Sequence, residues 1–252
     1  MLRCTSRPAF VAQAAALLRA ASRARHHLHC ASVIASTSGP RSPSDVLMFW
    51  FGEEWLSNRK ALSTPGFDTA ERNKLWWSGG KDTDAACGAF AELIHAAGHG
   101  QLTDGEWSPS PASSLAKVVL LDQLTRGAFR GTPTAFAYDA VAVQETLAAI
   151  DKGFDEKMEA FERQFLYMPL LHSEEHQDLS LRKFTELAHA FGDKLPTMKF
   201  VVSFAEEHAA VVKRFGRFPH RNTAKGRKTT PQEADWLASA ECPGWAKSQQ
   251  TK

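Results

Sequence analysis

The amino-acid sequence predicts an all-α fold, with antiparallel helix pairs packed as an array or bundle. Three observations carry that prediction. Apolar residues recur at three- and four-residue spacing in segment after segment, no stretch alternates in the manner of a strand, and the connections are short. Hydrophobic residues make up 43% of the 252 positions and charged residues 23%, enough for one domain of about 200 residues with a real core.

Taken in order, Ser42-Pro43 is a helix start with proline at the first helical position. Val46, Leu47, Phe49 and Trp50 follow, and Gly52 closes the segment. Asp68, ahead of Thr69-Ala70-Glu71, reads as the cap of a helix carrying Leu75, Trp76 and Trp77. Asp82 opens an alanine-rich helix whose Ala86, Phe90, Leu93, Ile94 and Ala97 have helical period. Leu115 to Leu124 is almost continuously apolar and is read as a buried central helix, because nothing nearby alternates. Thr132-Pro133 starts a helix running to about Ile150, and Asp155–Phe165, Leu179–Phe191 and Thr197–Arg214 continue the series. Thr230-Pro231-Gln232-Glu233 is both a capping box and a proline start for the last helix. The consensus of a 34-residue repeat is absent. Residues 43–240 are thus expected to form a single helical domain, with 241–252 a disordered tail.

No apolar run approaches the roughly 18 residues needed to cross a bilayer, so no membrane partner is expected. Residues 1–41 carry six arginines and no acid, and the remainder holds 24 basic against 28 acidic residues. A mildly acidic body argues against a nucleic-acid partner, which calls for an excess of positive charge over the whole domain. The first 42 residues, rich in Arg, Ser and Ala with Phe10, Val11, Ala14, Leu17 and Leu18 on one helical face, read as a mitochondrial or plastid transit peptide. Arg19, Arg23 and Arg25 follow the short apolar core too closely for a secretory signal, and the mitochondrion is placed ahead of the plastid. Cys4, Cys30, Cys87 and Cys242 show neither metal spacing nor a disulfide framework.

Three constellations carry chemistry. Between Lys213 and Lys228 lie seven Lys or Arg and no carboxylate, interleaved with Phe215, Phe218 and Pro219. Arg217, Arg221 and Arg227 there offer planar forks to a carboxylate or phosphate; the bland alternative is a solvated basic loop. His172-Ser173-Glu174-Glu175-His176 matches a zinc-peptidase pattern in form, since residues four apart share a helix face. Pro169 just upstream suggests instead that His172 lies at a helix start, with Glu174 and Glu175 complementing the dipole. Asp122, Gln123, Arg126 and Arg130 sit on the apolar central segment, where charges must be partnered or face a cavity. Asp139 is a further acid among apolar neighbours, and a structural network joining helices is the competing reading. His208 stands on the apolar edge of the helix that feeds the basic stretch.

The order of motifs carries a resemblance. Phe49-Trp-Phe-Gly52, Leu120-Leu-Asp-Gln123 with Arg126, Arg130-Gly-Thr-Pro133 and Phe136-x-x-Asp139 are followed by Phe165-Leu-Tyr-Met-Pro-Leu-Leu-His-Ser-Glu174. His208, Phe215-Gly-Arg-Phe-Pro-His-Arg-Asn222 and Gly226-Arg227 complete the set. From about Asp45 to Leu237 the chain resembles the family called domain of unknown function 924, here as an organelle-targeted eukaryotic member. The resemblance implies an all-helical, tetratricopeptide-repeat-like fold and no established reaction. The family's usual Asp-Gln-Phe-Pro-Arg-Asn is here Asp122-Gln-Leu-Thr-Arg-Gly127, Lys225 replaces an apolar residue, and His176 is not a regular family position.

The leading expectation is a pocket for a small anionic ligand, a carboxylate or phosphate. Asp122, His172, Glu174, His208 and His220 are its catalytic candidates, and Arg126, Arg130, Arg217, Arg221, Asn222 and Arg227 its ligand-binding ones. No cofactor or metal is assigned. One alternative is a helical-repeat scaffold whose arginines take an acidic peptide. Another is a metal-dependent hydrolase built on His172, Glu175 and His176.

Overall fold

Helices and turns make up the computed structural model, which describes residues 41–249 and contains no strand among them. The expected targeting segment lies, up to residue 40, outside the described residues. No helix among those described is long and apolar enough to cross a membrane.

Helix α1 (Pro43–Phe51) begins as its sequence predicts, with the Ser42 hydroxyl and Asp45 carboxylate exchanging capping bonds. Helix α2 (Ala70–Asn73) is capped by Thr69, not Asp68, and runs on into a π-helical turn, Lys74–Ser78. Asp68 is displaced from the cap because its carboxylate accepts a bond from the Thr197 hydroxyl. The alanine-rich stretch is two helices, α3 (Lys81–Gly88) and α4 (Ala91–Gly98), and α3 starts at Lys81, ahead of Asp82. The chain turns at Phe90, whose ring is buried against Phe49 at 4.9 Å.

The central element runs from α5 (Pro111–Val118) through a π-helical segment, Val119–Leu124, into α6 (Thr125–Ala128). After a 3₁₀ turn at Pro133–Phe136 come α7 (Asp139–Asp151) and α8 (Ala160–His172). Asp155 therefore opens only a 3₁₀ turn, and Glu159 and Glu162 cap α8 reciprocally. Helix α8 is buried along nearly its whole length and packs against α5, α7, α9 (Gln177–Phe191) and α10 (Thr197–Phe215). Its Phe161 and Phe165 enter an aromatic core with Trp50, Phe51, Phe67 and Trp76, where Trp76 meets Phe165 edge-on at 5.0 Å.

Helix α11 (Pro231–Ala238) has the expected capping box. The residues beyond it depart from expectation. Cys242 and Ala246 are buried with Val211, Phe218 and Trp236, and Gly244–Ser248 forms a last helical turn, α12. The apolar side chains of Cys242, Trp245 and Ala246, packed on Val211, Phe218 and Trp236, explain why the chain is ordered as far as Ser248.

Candidate functional site

The π-helical segment sets the site. Its widened turn lets the Thr125 amide reach back to the Leu120 carbonyl, which the Thr125 hydroxyl also meets at 2.7 Å. That geometry keeps Asp122 on the buried side of the helix, fully enclosed. Both carboxylate oxygens of Asp122 accept from His172 Nδ1, at 2.8 and 2.9 Å, and Gln123 Nε2 donates to one of them at 2.6 Å. Burial pushes the Asp122 carboxyl up, but His172 and Arg126 outweigh it and hold the acid at about 2. An ionised carboxylate only accepts, so the His172 proton sits on Nδ1 and Nε2 is the nitrogen left over.

Behind this pair runs a network of charges. Arg126 donates to Asp122 at 3.3 Å, to Asp139 at 2.7 Å and to the Ala135 carbonyl. Arg221, 3% exposed, donates to Asp139 and to the His172 carbonyl, both at 2.8 Å, and through Nε to His220 Nε2 at 3.3 Å. That last bond fixes the His220 proton on Nδ1, which has no partner among the described residues. His208 donates from Nδ1 to the Phe204 carbonyl at 2.7 Å, and its ring lies 5.9 Å from that of His172 and flat on Trp245 at 3.8 Å. Burial holds His208 well below its usual range, with His172 and Arg221 adding to the shift. Burial likewise holds His220 well below, helped by Arg221.

These side chains meet at a cavity of ≈ 350 Å³. His172, His208, His220, Arg126, Arg130 and Arg221 all line it. The rest of its wall is largely aromatic and aliphatic, with Trp50, Trp76, Phe136, Met168 and Leu171, and exposed Trp77, Phe200 and Phe204 beside them. Asp122 stands one step behind, through His172.

Four of the sequence candidates are held elsewhere. Arg217 clasps Glu233 at 2.7 and 2.9 Å, and this bidentate grip holds Glu233 at about 2. Asn222 donates to the same carboxylate at 3.1 Å. Arg227 clasps Glu174 at 2.8 and 3.0 Å, and Glu174 also accepts from the Phe218 amide at 2.8 Å. Burial raises the Glu174 carboxyl, but Arg227 and the Phe218 amide prevail and lower it. Arg217 closes the 216–233 loop on itself and Arg227 ties it to Glu174, so neither is a free anion clamp; Lys213, Arg214, Lys225 and Lys228 of the run are exposed, and of its arginines only Arg221 turns inward. Nor does His172 begin a helix: it is the last residue of α8, with Pro169 inside. The chain leaves the helix at Ser173, so His172 and His176 share no helical face and the zinc-peptidase spacing loses its geometric basis. Among the described residues no group of three or more His, Cys, Asp or Glu side chains is placed to hold a metal ion.

Sequence reasoning missed Gln164 and Trp245. Gln164 is 2% exposed, lines the cavity and makes no hydrogen bond among the described residues. Its signal was available, since Gln164, Met168, Leu171 and His172 fall on one helical stripe. Trp245 carried no such signal. At Gly127, a departure from the usual motif, an added Cβ would meet Cys87 Sγ at 2.8 Å and Asp84 at 3.4 Å, so the larger asparagine has no room in this chain.

Fold and site together define an all-helical domain built around a small cavity with a histidine cluster in its wall. The chain belongs to the family described as bacterial protein of unknown function (DUF924), which it matches over residues 46–241. Among solved structures it is similar to a protein of unknown function, ATU0120, from Agrobacterium tumefaciens. The two share 33% identity, with 65% of this chain and 88% of that one covered and a TM-score of 0.53. No curated protein matches the chain.

Proposed function

We propose that the cavity binds a small molecule and that His172 acts on it as an acid/base residue. The observation that carries this reading is the Asp122–His172 pair. A buried carboxylate grips Nδ1 with both oxygens, so the ring is oriented and its Nε2 is the atom available to a ligand in the cavity. When Nε2 takes a proton, the ionised Asp122 stabilises the imidazolium that forms, and Arg221 and Arg126 lie close enough to offset negative charge developing on the ligand. The network explains why so many polar groups are enclosed: Asp139 joins both arginines and fixes their reach.

A protein-interaction scaffold would need these residues along an open groove. Asp122, His208, His220 and Arg221 are instead almost fully buried, which favours a cavity ligand.

Native mass spectrometry of the gently purified full chain tests the reading. The expected result is an additional mass of roughly a few hundred daltons, as suits a cavity of this size, that is lost in His172→Phe with helicity unchanged. Retention of the full additional mass in both His172→Phe and Arg221→Met, or a bare chain that no small molecule binds, contradicts it.

A further inference from the structure

Building on that reading, the charge balance of the wall limits what can enter. Three guanidinium groups line the cavity, those of Arg126, Arg130 and Arg221, and they bond three carboxylates, those of Asp84, Asp122 and Asp139. The neighbouring Glu174 and Arg227 neutralise one another. Facing these from α8, α10 and the 3₁₀ turn Pro219–Arg221 are His172, His208 and His220. With the imidazoles neutral the wall carries no net charge. An anion entering alone would be a buried, uncompensated charge, whereas an anion entering with one proton would not. A dianion such as phosphate would need two.

The unpartnered polar groups give the ligand a direction. At the histidine end, His220 Nδ1–H has no acceptor, and Arg221 Nη2 makes no bond among the described residues. His172 and His208 both spend Nδ1 on the protein, leaving two Nε2 atoms to take up a proton. Eight residues back along α8 stands Gln164, buried with its Oε1 unpartnered, and Trp50, which also lines the wall, has an unpartnered Nε1–H. Gln164 lies eight residues before His172 on α8, about 12 Å along the helix axis. Along α8 the lining residues between them are Met168 and Leu171, and Val201, Phe204, Trp76 and Trp77 add apolar wall to the cavity.

We propose that the cavity takes a small monocarboxylic acid with an aromatic body and a hydroxyl at its far end, bound with uptake of one proton by the histidine cluster. The carboxylate sits against Arg221 and His220. The proton comes from solvent and goes to Nε2 of His172 or His208, so charge is conserved inside the cavity. The hydroxyl donates to the Gln164 amide oxygen and accepts from the Trp50 indole N–H.

Calorimetric titration of the full chain tests this with three probes: 3-(4-hydroxyphenyl)propionate, 3-phenylpropionate and the neutral 3-phenylpropanamide. Buffers of different ionisation enthalpy report the protons taken up. The expected result is about one proton for each acid and none for the amide, with acid affinity falling about tenfold per pH unit above neutrality. The hydroxylated acid is expected to bind about tenfold tighter than its parent, the worth of one well-made hydrogen bond. Gln164→Leu removes a buried group that has no partner, so the variant is expected to fold, and it should shrink that gap to within about twofold. Failure of both acids to bind, binding without proton uptake, an amide that binds tighter than both acids, or an unchanged gap in Gln164→Leu overturns the proposal. The two readings fail separately. Proton-linked acid binding that persists undiminished in His172→Phe would leave the ligand class standing and remove the acid/base role. A co-purified ligand without a carboxylate, lost in His172→Phe, would do the reverse.

Discussion

Asp122→Asn keeps the shape of the most buried member of the site and removes its charge. In the native protein the group titrates at about 2 against an ordinary value of 3.8, a difference worth about 2.5 kcal/mol of folding stability at neutral pH. Because the folded pKa is depressed, that contribution is complete above the unfolded value and is lost as pH falls through the folded one. The asparagine variant should therefore unfold about 2–3 kcal/mol more easily than the native chain at pH 7, and by about half that at pH 3. Urea unfolding followed by circular dichroism at the two pH values measures both numbers. Arg126 keeps Asp139 as a partner in the variant, which is why a larger loss is not expected. A cost under about 0.5 kcal/mol at pH 7, or one that does not shrink in acid, would refute the claim that His172 and Arg126 stabilise an ionised Asp122.

Other expectations follow from the same network. His208 and His220 have folded pKa values depressed by burial, so the unfolded chain binds the extra protons and stability falls as pH drops below about 6.5. Each contributes a slope of at most about 1.4 kcal/mol per pH unit there, and His208→Phe should make stability fall less steeply in a urea titration run between pH 6 and pH 5. Gly127→Asn should cost about 1–3 kcal/mol through its clash with Cys87, and Cys87→Ala should recover part of the loss in thermal unfolding. Glu174→Gln weakens the partly buried grip of Arg227 by about 1 kcal/mol, and amide exchange should rise at Phe218 with little change in α8.

What was legible in the sequence divides along physical lines. Helix starts that depend on a few adjacent residues were readable, as the proline start at Ser42-Pro43 and the capping box at Thr230–Glu233 show. The all-α class followed from helical periodicity, the absence of strand-like alternation and the short connections. The break at Phe90 and the π-helical turn at Val119–Leu124 were not readable, because packing against Phe49 and a back-bond from Thr125 decide them. Pro169 reads as a boundary in the sequence, yet tertiary burial of α8 along nearly its whole length keeps it within the helix. The site divides in the same way. Asp122, Arg126, His172, His208, His220 and Arg221 stood out as polar groups among apolar neighbours, and they do converge. Glu174, Arg217, Asn222 and Arg227 stood out for the same reason and instead lock the loop. Their partners are remote in the chain, 16 residues away for Arg217 and 53 for Arg227, so a run that looked unpaired in sequence is paired in space. Arg221 finds Asp139 across 82 residues.

The proposed function rests on Asp122 holding His172 with Nε2 offered to a ligand. Long-range proton–nitrogen NMR of the ¹⁵N-labelled imidazoles, recorded with and without 3-phenylpropionate, tests it directly. The expected result is a His172 proton on Nδ1 in the free protein and a large shift confined to the cavity histidines when the acid is added. A His172 proton found on Nε2 alone, or imidazole signals that do not respond to any cavity ligand, would contradict it.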